Sequence, residues 1–256
     1  EHFMSVISLV GLDCPPELIL QRYTLRSHGF LFLKKDYTLW FALPLLVVSN
    51  IATALWNFQD TVIILFSMGL TSRYRRLNKY VAEICSDDNK DDQQNSKKET
   101  VKIYSWRKTR EVYVNQAKLV RKVDTAVGPI ILLTSFGNFY FICLQLFLGI
   151  TQGINGASTL DLAYYVVSLL WLVTRFTWMI LAAAEVNVQS KAALHDLYKY
   201  SSNCYNLEVN RLQNQLRKDY VAISGMGFFS INRNIILQMA SAMLTYELIL
   251  IQFDDK

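Results

Sequence analysis

Residues 238–256 read QMASAMLTYELILIQFDDK, and the apolar stretch within them carries Thr245, Tyr246, Glu247 and Gln252. A helix bathed in lipid on all sides should carry none of these, and a water-soluble helix should carry more. At about 100° per residue, Asn234, Gln238, Ser241, Thr245, Ile249 and Gln252 fall within one arc of roughly 80°. Most of the other positions are Ile, Leu, Met, Ala or Phe. The polar groups therefore form one strip along a helix. Such a strip either packs against neighbouring helices through hydrogen bonds or lines water. Spacing alone leaves both open. One strip cannot enclose a pore, but several copies around an axis can.

The rest of the chain supplies the context. Of 256 residues, 52% are hydrophobic and 18% charged, against about 25% charged in ordinary soluble domains. Apolar runs occupy 41–72, 126–150, 160–184 and 228–253, each near or above the roughly 20 residues that cross a bilayer as a helix. The opening EHFMSVISLVGLD has no initiator Met, basic n-region or signal-peptide pattern. It reads as part of a longer chain, beginning near the end of an earlier span. The fold expected is all-α: a polytopic membrane protein of which this sequence holds about four spans.

Charge sets the expected orientation. Residues 73–122 and 187–220 are rich in Lys and Arg, whereas 149–161, GITQGINGASTLD, has neither. The positive-inside rule places the two basic segments in the cytoplasm and the neutral one outside, with the C-terminus. Arg22, Arg26, Lys34 and Lys35 oppose the rule but do not outweigh the first basic segment. Four parts follow: 1–40, an extracellular segment after an earlier span; 41–184, transmembrane helices with a cytoplasmic helical insertion at about 73–122; 185–227, a cytoplasmic region; and 228–256, a last span with an extracellular C-terminus, the resemblance below adding ligand binding, an anchor and a pore lining to the last three in turn. SDDNKDDQQNSKKET at 86–100 lacks aliphatic and aromatic residues and reads as disordered.

Polar residues recur at helical spacing in the other runs. Asn50, Thr53, Asn57 and Asp60 share a face in the first, with Trp56 beside them. Thr134, Asn138, Phe141 and Gln145 do so in the second, and Tyr164, Ser168, Trp171 and Arg175 in the third. Hydroxyls, amides, an acid, a base and large rings converging from three helices suit a carbohydrate. The same groups could instead bind only one another. Asp60 and Arg175 lie well inside their runs, where an isolated charge is costly, so mutual pairing is the least expensive arrangement. Glu247 lies off the strip and requires a partner on another helix or a shifted protonation equilibrium.

Catalysis finds no foothold. The sequence has no G-x-G-x-x-G, no G-x-x-x-x-G-K-[ST] and no H-E-x-x-H, and His2, His28 and His195 are far apart. Cys14, Cys85, Cys143 and Cys204 lack metal or redox spacing, although Cys14 could pair outside this sequence. No enzyme activity, cofactor, metal or nucleic-acid partner is expected.

TYELILIQF at 245–253, TALWNFQDTVIILFSMGLTSRYRRLN at 53–78, VGPIILLTSFGNFYFICLQL at 127–146 and AISGMGFFSINRNIILQ at 222–238 together resemble the insect gustatory receptors, in particular their sugar-receptor branch. The resemblance runs from about Trp40 onward. It implies a seven-helix subunit, similar in architecture to the olfactory co-receptor, with four subunits around a pore lined by the last helix. It also implies a sugar-gated, non-selective cation channel at the plasma membrane, as a homo- or hetero-tetramer. The Q-F pair of the family signature carries over to Gln252 and Phe253 as the constriction, with Ile249, Thr245 and Gln238 below it on the strip. Trp56, Asn57, Asp60, Asn138, Gln145, Tyr164, Trp171 and Arg175 are the candidate sugar contacts. Two rivals stand beside this reading. A G-protein-coupled seven-helix receptor has the opposite orientation, and a sugar transporter needs no oligomeric pore.

Overall fold

A computed structural model describes residues 15–27, 38–88, 96–151, 159–199 and 206–254. Cys14, Cys204, the opening segment, residues 28–37 and most of the neutral 149–161 segment lie outside the described residues. The described chain is almost entirely helical: α1 (Pro16–Ser27), α2 (Leu39–Asp88), α3 (Ser96–Thr151), α4 (Thr159–Tyr198), α5 (Leu207–Lys218) and α6 (Asn234–Asp254). Four of these, α2, α3, α4 and α6, are long and apolar enough to cross a membrane. The protein is an all-α polytopic membrane protein.

The helices run on past the apolar segments that define the spans. α2 has 50 residues, α3 56 and α4 40. Once a helix is nucleated each further residue costs little, so basic and acidic stretches with good helix formers continue it. The segment expected to be disordered is helical at both ends. Ser86, Asp87 and Asp88 close α2, Ser96–Thr100 open α3, and 89–95 lie outside the described residues.

The chain divides into two compact units. One comprises Thr61–Ser135 and Thr177–Met239, and its buried positions repeat at close to 3.5 residues. In α3 these are Trp106, Thr109, Tyr113, Gln116, Ala117 and Val120; in α4, Met179, Ala183, Val186, Ser190, Ala193 and Leu197. That period keeps one seam of each helix turned inward, as in a coiled coil. The polar links in this unit are specific. Tyr113 Oη donates to Asn78 Oδ1 at 2.7 Å, and Asn78 Nδ2 donates to the Gln189 carbonyl at 2.9 Å. Glu185 receives Arg75 at 3.1 Å and Arg233 at 2.9 Å.

α5 begins where Asn206 Oδ1 accepts from the Val209 amide at 3.0 Å, satisfying one of the orphan donors of the first turn. It packs through Val209, Leu212 and Leu216. Its buried Glu208 is held by Arg110 at 2.9 Å and Arg211 at 2.6 Å. Burial pushes that carboxyl up, but the hydrogen bonds and charges of Arg211 and Arg110 outweigh it and leave Glu208 below the usual carboxylate range.

The other unit comprises Glu1–Asp60, Phe136–Phe176 and Ala240–Lys256. Its polarity is inverted relative to a soluble core. Trp40, Phe41, Leu55, Phe58, Phe136, Val167, Leu170 and Leu248 are exposed, while Asp60, Asn138, Ser168 and Glu247 are buried. Apolar side chains outside and polar ones inside is the arrangement lipid imposes, since tails solvate Leu and Phe but not amides or charges.

Candidate functional site

The buried polar residues of α2, α3 and α4 meet around one guanidinium. Arg175 Nε approaches Asp60 Oδ2 at 2.7 Å, off the line of a hydrogen bond, so this contact is chiefly Coulombic. Arg175 Nη2 donates to Asn138 Oδ1 at 3.0 Å, and Nη1 donates to Asn57 Oδ1. Asn138 Nδ2 closes the ring by donating to Asp60 Oδ1 at 3.3 Å. The Trp56 ring lies against the guanidinium, 4.8 Å from its carbon to the centroid, and is tilted at 41° against Phe141 with centroids 4.5 Å apart.

Local sequence explains these orientations. Asn57 Nδ2 bonds back to the Thr53 carbonyl at 2.8 Å, which points its amide oxygen toward Arg175. Asn138 can both donate and accept, so it is one of the few side chains able to bridge an acid and a base together. Asp60 is 1% exposed and Asn138 0%, so the acid and its amide partner are out of reach of solvent and each charge depends on its partners.

Five of the eight residues expected to contact sugar therefore cluster: Trp56, Asn57, Asp60, Asn138 and Arg175. Gln145 forms a second link, donating to Ser168 Oγ at 2.9 Å. Tyr164 is half-buried, and Trp171 is 55% exposed. Asn50 and Thr53 bond back to the carbonyls of Leu46 and Ser49 within their own helix.

One residue that stripe counting missed is Tyr165. Its hydroxyl donates to the Gln145 carbonyl at 3.1 Å, and it lies so close to Gly149 that a Cβ there would fall 2.1 Å from the phenol oxygen. The signal was a glycine in the last turns of an apolar helix, which admits a ring where any side chain would block it.

On α6 the strip residues Asn234, Gln238, Ser241, Thr245, Ile249 and Gln252 are all exposed. Phe253 belongs to α6, and its side chain lies outside the described residues. Glu247, roughly 160° around the helix from the strip's centre, is 5% exposed. Neither of its carboxylate oxygens has a hydrogen-bond partner among the described residues. The inward face of α6 is thus fixed by Glu247, and the polar strip is left uncovered.

Fold and cluster together define a class: an all-α membrane protein of several spans, cross-tied by buried charge between helices. The chain belongs to the trehalose receptor family, whose family model matches residues 1–256. It is 32% identical to the gustatory receptor 5a for trehalose of Drosophila melanogaster over 257 residues, covering 100% of this chain and 54% of that protein. It is 31% identical to the gustatory receptor for sugar taste 64a of the same species, covering 91% of this chain and 48% of that one. The chain spans about half the length of the curated relatives it matches. Its fold is similar to that of the insect olfactory receptor OR5 from Machilis hrabei, with a TM-score of 0.65 at 16% identity over 98% of this chain and 63% of that chain.

Proposed function

We propose that this chain is the outward-binding and pore-lining part of a sugar-gated, non-selective cation channel, a taste-receptor subunit of the plasma membrane. The carrying observation is the α6 strip: polar at five of its six helical positions, exposed along its length, and opposite the buried Glu247. A polar face that no part of the described chain covers is stable in a bilayer only against like faces or water. Four α6 helices around an axis supply both. In this arrangement Gln252 and Phe253 form the constriction, with Ile249, Thr245 and Gln238 along the conduit, and the C-terminus is extracellular. The segments at 73–122 and 185–227 form the cytoplasmic insertion and anchor of a seven-helix subunit.

Sugar as the ligand is supported by membership of the trehalose receptor family and by the chemistry of the cluster. Aromatic rings beside amides and a paired charge match the apolar and hydroxyl faces of a saccharide. Trp56, Asn57, Asp60, Asn138 and Arg175 border or brace the pocket, with Gln145, Tyr164 and Trp171 toward its outer part.

The test is whole-cell current from cells expressing the receptor, recorded against a panel of mono- and disaccharides that includes trehalose. Sugar-evoked cation current with single-channel steps is expected. Sugar uptake at transporter turnover without such steps would overturn the reading.

A further inference from the structure

Residues 224–230, SGMGFFS, form a small hairpin ahead of α6, with an isolated bridge between Ser224 and Ser230. Its tip is a tight turn in which the Phe228 amide donates to the Gly225 carbonyl at 3.0 Å. The two central residues, Met226 and Gly227, have φ of 54° and 78°. Positive φ at both positions is the type I′ turn, which favours Asn or Asp followed by Gly. Gly227 fits. Met226 does not, since an unbranched apolar side chain gains no local hydrogen bond to offset the left-handed backbone. A residue held in this region against its preference points to what its side chain does. Met226 is 56% exposed and Phe228 79%.

The hairpin is held firmly. Asp124 of α3 accepts from the Ser224 amide at 2.5 Å and from Ser224 Oγ at 2.9 Å, and Gly227 N donates to the same hydroxyl at 3.1 Å. Gly128 lies against the tip, where a Cβ would meet Met226 N at 3.2 Å. From α4, Asn187 Nδ2 donates to the Val221 carbonyl at 2.8 Å, and the Lys191 ammonium sits 5.2 Å from the Tyr220 ring centroid. These contacts also set its level. Asp124 and Gly128 bracket the first residue of the apolar run 126–150, Asn187 and Lys191 lie just beyond the end of the run 160–184, and α6 starts four residues after Ser230. All three elements place the hairpin where apolar helix gives way to basic sequence. Lys122, Arg217 and Lys218 are exposed nearby in the chain.

We propose that this hairpin is a membrane-interface anchor, inserting Met226 and Phe228 into the headgroup–acyl boundary of a phospholipid bilayer beside the first turn of α6. Apolar and aromatic side chains at a span boundary, flanked by Lys and Arg, are the chemistry that this layer accepts. The rigid seat on Asp124 and Gly128 then fixes the depth at which α6 enters the membrane.

The test places the photoreactive amino acid p-benzoylphenylalanine at position 228, and separately at 226, in the protein reconstituted in phosphatidylcholine–phosphatidylserine nanodiscs. The exposed Asn214 of α5 serves as the reference position. After illumination, intact mass is read. Phospholipid adducts at 226 and 228, several-fold above those at 214, are expected. The two tip positions are probed independently, so a variant that fails to fold leaves the other to decide. Crosslinks to a second copy of the chain in place of lipid adducts would overturn the proposal, because the tip would then face another subunit. Adducts no more frequent than at 214 would overturn it as well, because the tip would then be in water.

Discussion

Asp60 of α2 and Arg175 of α4 face each other at 2.7 Å, and Asn138 of α3 bonds to both. Three spans are thereby tied at one point by groups that lipid cannot solvate. Removing one member of a buried pair leaves the other uncompensated, at a cost of about 3–5 kcal/mol. Asp60→Asn and Arg175→Met should therefore each lower the thermal stability of the detergent-solubilised protein strongly. The charge-swapped double should regain part of the loss. Melting followed by size-exclusion fluorescence checks this, and a double no better than the sum of the singles would dissociate the two residues.

Current recordings test the α6 assignment. A hydrophobic ring closes a pore by dewetting, so closure depends on side-chain bulk. Phe253→Ala should raise current in the absence of sugar. Gln252→Ala should alter conductance or cation selectivity. Trp171→Ala, exposed enough for folding to survive its loss, should move the sugar dose–response without changing single-channel conductance. Unchanged conductance, selectivity and basal current in both α6 variants would make the strip a packing surface.

Glu247 offers a different kind of test. Both of its oxygens are buried with no hydrogen-bond partner among the described residues, and a buried polar group without a partner costs free energy. Glu247→Gln, nearly equal in size, should leave the melting temperature unchanged or raise it. A clear drop would show that the carboxylate has a partner the described residues do not supply.

Glu208 predicts an acid dependence. Its carboxyl lies below the ordinary value of 4.5 because Arg211 and Arg110 outweigh the effect of burial. A depressed folded value means that the stabilisation is complete above about pH 4.5 and is lost as pH falls below it toward the folded value. Glu208→Gln should lower stability near neutrality and flatten its decline below that pH. Thermal melts of both proteins across pH 3–6, roughly the carboxylate range, provide the measurement.

The sequence alone determined what depends on one helix at a time. Four apolar runs of bilayer length defined α2, α3, α4 and α6 as spans, and the 3.6-residue period placed the α6 polar groups on one face. The cost of a lone charge in lipid required company for Asp60 and Arg175. Tertiary structure decided which residues supply it. Asn138 bridges the pair and Trp56 covers it, whereas Trp171, counted on the same α4 stripe as Arg175, is largely exposed. Tyr165, off that stripe, is the residue seated against Gly149. The physical reason is that a sequence period gives a helix's faces but not its rotation or height relative to its neighbours. In lipid those are set by close packing and a few interhelical hydrogen bonds rather than by hydrophobic burial. The strain at Met226 likewise became visible only in the folded chain, because a left-handed backbone is imposed by the hairpin's seat on Asp124 and Gly128 and not by the methionine itself.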